Sequence, residues 1–212
     1  MKFIHYIILL TISLLTISAG YADEAEDIIN DLKKKYDSVN NLSAEFTQDF
    51  YWNLADESQQ QRGSIILSGN DNFKIETSDQ IIVSDGKSIW TYSKSNNQVI
   101  IDALENNQEV TLPRDLFMKF SKDYKPFKLG DEIIDGIACH VIRLTSRNDN
   151  AYIKEMKVWI DKKSTVTKKI QHTDISDNVT VYLLNNVQLN RKIDPAIFRF
   201  QAPAGVEKID LR

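Results

Sequence analysis

Cysteine is almost missing, with Cys139 the only one among 212 residues. A lone thiol cannot close an internal disulfide, so the fold must rest on its apolar core. Histidine is nearly as scarce: His5, His140 and His172 are the three, and a metal centre needs three or four converging ligands. No CxxC pair, GxSxG elbow, phosphate loop or dinucleotide fingerprint occurs. Positive charge is also in deficit, 26 Lys and Arg against 30 Asp and Glu, for a formal charge of -4. That balance speaks against nucleic acid, whose phosphates demand clustered Lys and Arg, and against adhesion to anionic lipid surfaces. Low-complexity tails and internal repeats are absent as well.

The longest apolar run lies at the start. Lys2 supplies a positive first segment, Phe3 to Ile17 is apolar but for His5 and a few hydroxyls, and Gly20-Tyr21-Ala22 fits small-x-small cleavage. The run is shorter than the ~20 apolar residues of a spanning helix. The expectation is a signal peptide over 1–22, cut after Ala22, and one domain over 23–212. With no cysteine at the junction to take a lipid, the product is expected to be free in its compartment.

What is present is pattern. Ile28, Ile29, Leu32, Tyr36 and Val39 recur at three- and four-residue intervals, predicting an amphipathic helix that Asn40-Asn41 ends. Acidic residues crowd its start and Lys33, Lys34 and Lys35 its end, which suits the helix dipole. The period then becomes two. Strands are expected over 43–52, 63–68, 73–77, 81–84, 87–93 and 98–101, with Asp85-Gly86 a strong hairpin signal. Pro113 to Phe120 predicts a short helix whose Leu116, Phe117 and Phe120 share a face. Strands resume over 127–134, 137–146, 152–161, 165–173 and 179–190, and 198–201 is expected to add a last one. The fold class is mainly β with a few helices (α+β), a count of roughly ten strands being too many for a small domain to hold flat. Such a sheet curls, either into a filled barrel or into a trough covered by the amphipathic segments.

Catalytic chemistry finds little footing. Cys139-His140 has the composition of a nucleophile and base, but neighbouring strand residues point to opposite faces. Acidic residues sit in turns and on polar strand faces, where solvent explains them. No catalytic residue, metal ligand or cofactor is assigned. Aromatic side chains at strand positions stand out instead, among them Phe46, Phe50, Trp52, Phe73, Trp90, Tyr92 and Trp159. They could fill a core or line a cavity.

Three stretches carry a family resemblance: Asn41-Leu-Ser-Ala-Glu-Phe-Thr-Gln48, Ile82-Val-Ser-Asp-Gly-Lys-Ser-Ile-Trp90, and Phe198-Arg-Phe-Gln-Ala-Pro-Ala-Gly-Val206. In this order they resemble the outer-membrane lipoprotein carrier family, LolA. The resemblance implies a curved antiparallel sheet forming a half-open barrel capped by helices, with an apolar cavity between. It implies a periplasmic chaperone, not an enzyme, that binds the acyl chains of lipoproteins and carries them from the inner to the outer membrane. Its implied partners are acylated lipoproteins, an inner-membrane ABC transporter and an outer-membrane lipoprotein receptor; a monomer is expected. The apolar phase of the strands and of the mid-chain helix nominates Phe46, Leu67, Phe73, Ile75, Trp90, Leu116, Phe117 and Phe120 to line or cover that cavity. Where the family commonly places an Arg-Pro pair tied to lid closure and release, this chain has Gly69-Asn70. The alternatives are a carrier of another lipid or amphiphile, a lipid-modifying enzyme on the same fold, and a ligand-free scaffold.

Overall fold

The computed structural model describes residues 24–69, 71–107 and 123–212. The signal-peptide expectation and the expected helix over 113–120 lie outside these. Residues 24–37 form a helix, α1, and the strands are β1 (Asn41–Trp52), β2 (Glu57–Ser68), β3 (Asn72–Thr77), β4 (Gln80–Asp85), β5 (Ser88–Ser93) and β6 (Gln98–Ala103). The second run comprises β7 (Tyr124–Ile134), β8 (Ile137–Ser146), β9 (Ile153–Asp161), β10 (Thr167–Asp174), β11 (Val179–Leu189) and β12 (Glu207–Asp210).

These twelve strands join one open, curved sheet in the order β12-β6-β5-β4-β3-β2-β1-β11-β10-β9-β8-β7. Among the described residues every pairing is antiparallel except β12 on β6, which is parallel. The tight turns carry the residues they need. Asp135 (φ 50°) and Gly136 (φ 79°) turn β7 into β8, both with the positive φ of a two-residue hairpin. Asp85 accepts from the Lys87 and Ser88 amides between β4 and β5. Bulges bend the ribbon further. Register slips between β7 and β8 beside Gly130, and between β1 and β11 at Asn186, which adopts φ 51° and donates to Glu45.

α1 crosses the inner face obliquely. Glu24 pairs with Lys128 on β7 at one end, and the Asn40 amide donates to Asn190 beyond β11 at the other. Ala25, Ile29, Leu32 and Tyr36, spaced by four, three and four, are buried on β8 to β11. Leu42, Ile65, Ile142, Val158, Ile170 and Leu184 belong to the same core, as do Phe46, Leu67 and Phe73. Tyr36 adds a polar tie, accepting from the Thr167 amide at 3.0 Å in a fully buried setting. Phe in place of Tyr36 leaves that amide unmatched, so Tyr36→Phe is expected to cost about 1–3 kcal/mol in denaturant unfolding.

A smaller cluster of Cys139, Val141 and Trp159 lies on the outer face. His140 points the other way, its Nδ1 3.0 Å from Asp131, so the adjacent pair forms no dyad. Two expectations change. β2 begins at Glu57, six residues before the expected start, because the polar, exposed Glu57–Arg62 pairs with the outer half of β1. The expected strand over 198–201 is absent: Phe198 closes a 3-10 turn, Pro195–Phe198, that Asp194 caps. The last strand is Glu207–Asp210, too short and polar to stand out.

Candidate functional site

Register places the apolar residues of the inner face in rows across the strands, since directly paired residues share a face. One row runs Leu42, Leu67, Phe73, Ser84, Ile89 from β1 to β5. The next runs Ala44, Ile65, Ile75, Ile82, Thr91, Ile100 from β1 to β6. A third places Phe46 between Leu184 and Gly63. The side chains near α1 are closed off, whereas Ile75, Ile82 and Ile89 are half-buried and Ile100 is 37% exposed. An apolar strip therefore continues along the inner face past the part α1 covers.

Of the expected residues, Phe46, Leu67, Phe73 and Ile75 come together on this face. Trp90 does not. It pairs with Val83 while Phe73 pairs with Ser84, so strand alternation puts it on the outer face with Tyr92, whose ring meets Phe200 at 5.7 Å. This corrects its assignment to the cavity: in the run Ser88–Ser93 both faces carry apolar or aromatic side chains, so phase alone is ambiguous. Leu116, Phe117 and Phe120 lie outside the described residues. Pattern in the sequence does not single out Ile82, Ile89, Ile100, Leu184, Tyr182 and Met156, which the sheet brings to the same face. The alternation of Tyr182 and Leu184 in β11 is a usable signal, whereas Ile81-Ile82-Val83 is apolar on both faces.

Beyond the apolar rows the inner face turns polar. Gln48 pairs across from Tyr182, and the Gln61 side-chain amide donates to it. His172 sits opposite Thr180 and Met156, its ring 5.5 Å from that of Tyr182, which in turn is 6.2 Å from Phe46. Burial alone pulls the His172 imidazole down to about 4 and pushes the Tyr182 hydroxyl up to about 12, so both are neutral at pH 7. His172 Nε2 is enclosed without a hydrogen-bond partner among the described residues.

The depressed value has a consequence for folding. Between about 4 and 6.5 the unfolded chain holds the His172 proton and the folded chain does not, so stability falls as pH drops through that window. The loss is of order 2–3 kcal/mol. Thermal midpoints at pH 7 and 4.5 should differ less for His172→Leu than for the natural chain.

Ion pairing and burial perturb acid-base groups elsewhere. The Lys162 ammonium above all, then His140, holds the Asp131 carboxyl below its usual range. Burial lifts the Cys139 thiol, which favours the inert form. Among the described residues no three His, Cys, Asp or Glu are grouped to hold a metal. A hollow of about 410 Å³ is lined by Glu45, Phe46, Thr47, Arg62, Gly63 and Asn185.

A curved antiparallel sheet with a helix over part of its inner face and an apolar strip beyond it is one side of the comparison with known proteins; sequence supplies the other. The profile described as "Outer membrane lipoprotein carrier protein LolA" matches residues 37–201. The chain belongs to the LolA family. The outer-membrane lipoprotein carrier protein of Pasteurella multocida is 26% identical over 215 residues, covering 97% of each chain. An uncharacterized protein of Methanocaldococcus jannaschii is 24% identical over 190 residues, which is 86% of this chain and only 53% of that one. This chain thus spans about half of the archaeal relative. Among solved structures, an uncharacterized conserved protein from Thermus thermophilus shares the fold at TM-score 0.57 and 12% identity, over 88% of this chain and 99% of its own. The LolA family is a carrier fold.

Proposed function

We propose that this chain is a periplasmic chaperone that holds the acyl chains of lipoproteins against the inner face of its sheet and carries them from the inner to the outer membrane. The carrying observation is the set of Ile75, Ile82, Ile89 and Ile100, apolar, placed on the inner face of β3 to β6 and only partly buried at the margin of the core. A surface without hydrogen-bonding demands suits cargo proteins that share only their lipid. Each methylene withdrawn from water is worth about 0.8 kcal/mol, so roughly a dozen methylenes amount to about 10 kcal/mol. Contact of that kind is non-directional, and release then depends on how much of the strip is uncovered. The likeness to the outer-membrane lipoprotein carrier protein of Pasteurella multocida supports the reading.

In this proposal residues 1–22 are an export signal and 23–212 the carrier domain, acting as a monomer. An inner-membrane ABC transporter supplies the lipoprotein and an outer-membrane receptor takes it; nucleic acid has no part. The site acts by burial and does no covalent chemistry. Fluorescence titration of the mature protein with a triacylated cysteinyl peptide and with its unacylated form tests the proposal. Saturable binding of the acylated form alone is expected. Indifference to acylation would sink it, and tighter binding of a diacyl lipid bearing no peptide would move the assignment to another amphiphile.

A further inference from the structure

We infer that His172 is a binding residue for the polar head of the cargo lipid, donating a hydrogen bond to an ester carbonyl and so fixing which way the amphiphile lies. The inference rests on the acyl-carrier reading above and adds an orientation to it. The inner face is graded. Its rows from β1 to β6 are mainly Leu, Ile and Phe, with Ala44, Ser84, Thr91 and Asp102 among them, while the band through Gln61, Gln48 and Tyr182, and the neighbouring one through Thr180 and His172, carry polar atoms near the apolar rows. An acyl lipid is graded in the same sense, with methylenes at one end and carbonyl oxygens where the chains join the head. Matching the two gradients lays the tails along Ile75, Ile82 and Ile89 and brings the carbonyls to His172.

His172 differs from its polar neighbours in one respect. Gln61 donates to the side-chain oxygen of Gln48, but His172 Nε2 is shut away from solvent with no partner among the described residues. Buried polar atoms are nearly always paired, and an exception calls for a reason. The surrounding packing supplies none, since Met156 and Thr180 flank it in register and Tyr182 presents its ring. A neutral imidazole carries one N–H, and ester carbonyls are pure acceptors. Leu or Phe would fill the same place at lower cost to folding, because an unmatched buried group is destabilising.

The test is a cycle of two proteins and two ligands: the mature natural chain and His172→Leu, each titrated with a triacylated cysteinyl peptide and with its ether-linked analogue lacking the ester carbonyls. The expected result is about tenfold weaker ester binding by His172→Leu, with ether binding changed less than about twofold. His172→Gln, which restores an N–H, should recover part of the loss. The melting temperature of His172→Leu at pH 7 should equal or exceed that of the natural chain, which a merely structural histidine would not give. Equal effects on the two ligands, or no effect on either, overturns the role of His172 and leaves the carrier reading standing. Failure of the natural chain to bind either ligand overturns both.

Discussion

Converting Ile75 to Glu and Ile82 to Lys together should abolish acyl binding, by at least about a hundredfold, in a protein that still folds. The two residues are directly paired across β3 and β4, so the new side chains can form a cross-strand ion pair, which sheets tolerate well. Both are half-buried at the margin of the core, so neither change leaves a void inside it. What alters is the surface the lipid meets. Methylenes that lay on isoleucine would have to strip water from two charged groups, which costs several times what the same contact with isoleucine returned. Titration with a triacylated peptide gives the affinity, and far-ultraviolet circular dichroism confirms the sheet. Binding within threefold of the natural chain would mean that the acyl chains lie elsewhere.

Gly63→Ala should be among the most damaging single changes in the sheet. A Cβ at this position would sit 2.4 Å from the Glu76 carbonyl oxygen and 2.7 Å from Phe46 Cζ. The phenyl ring is packed against Leu184 and Tyr182 and has little room to yield. The carbonyl belongs to the β2–β3 ladder, where Ser64 pairs with Glu76, and cannot move without opening it. Overpacking of this sort costs about 1–3 kcal/mol and more where backbone must shift; about 3 kcal/mol or above is expected here. Phe46→Leu in the same chain should recover the part due to the ring and leave the part due to the carbonyl. Urea unfolding of the single and double variants measures both. A single variant as stable as the natural chain would contradict the close approach of β2 and β3 at this point.

The helix and most of the sheet are readable from the sequence because their patterns are strong. Ala25, Ile29, Leu32 and Tyr36 keep helical spacing, and Asp85-Gly86 and Asp135-Gly136 mark their turns by residue type alone. The misses share a cause. Glu57–Arg62 is polar and mostly exposed and takes its structure from β1, not from its own pattern, and Glu207–Asp210 is a strand only because β6 offers it an edge. Trp90 shows the same limit within the site. In a strand apolar on both faces, only the pairing of Val83 with Trp90 reveals which side the indole takes. His172 cannot be found by type or spacing, because its significance lies in the unmatched nitrogen left once Tyr182 and Met156 close around it.

The central claim is that the inner face binds lipid attached to protein. The direct measurement is native mass spectrometry of the mature chain mixed with a purified triacylated lipoprotein, and separately with the same protein unacylated. A one-to-one complex with the acylated form and none with the unacylated form is the predicted result. Complexes with both forms in equal amount, or with neither, would contradict it.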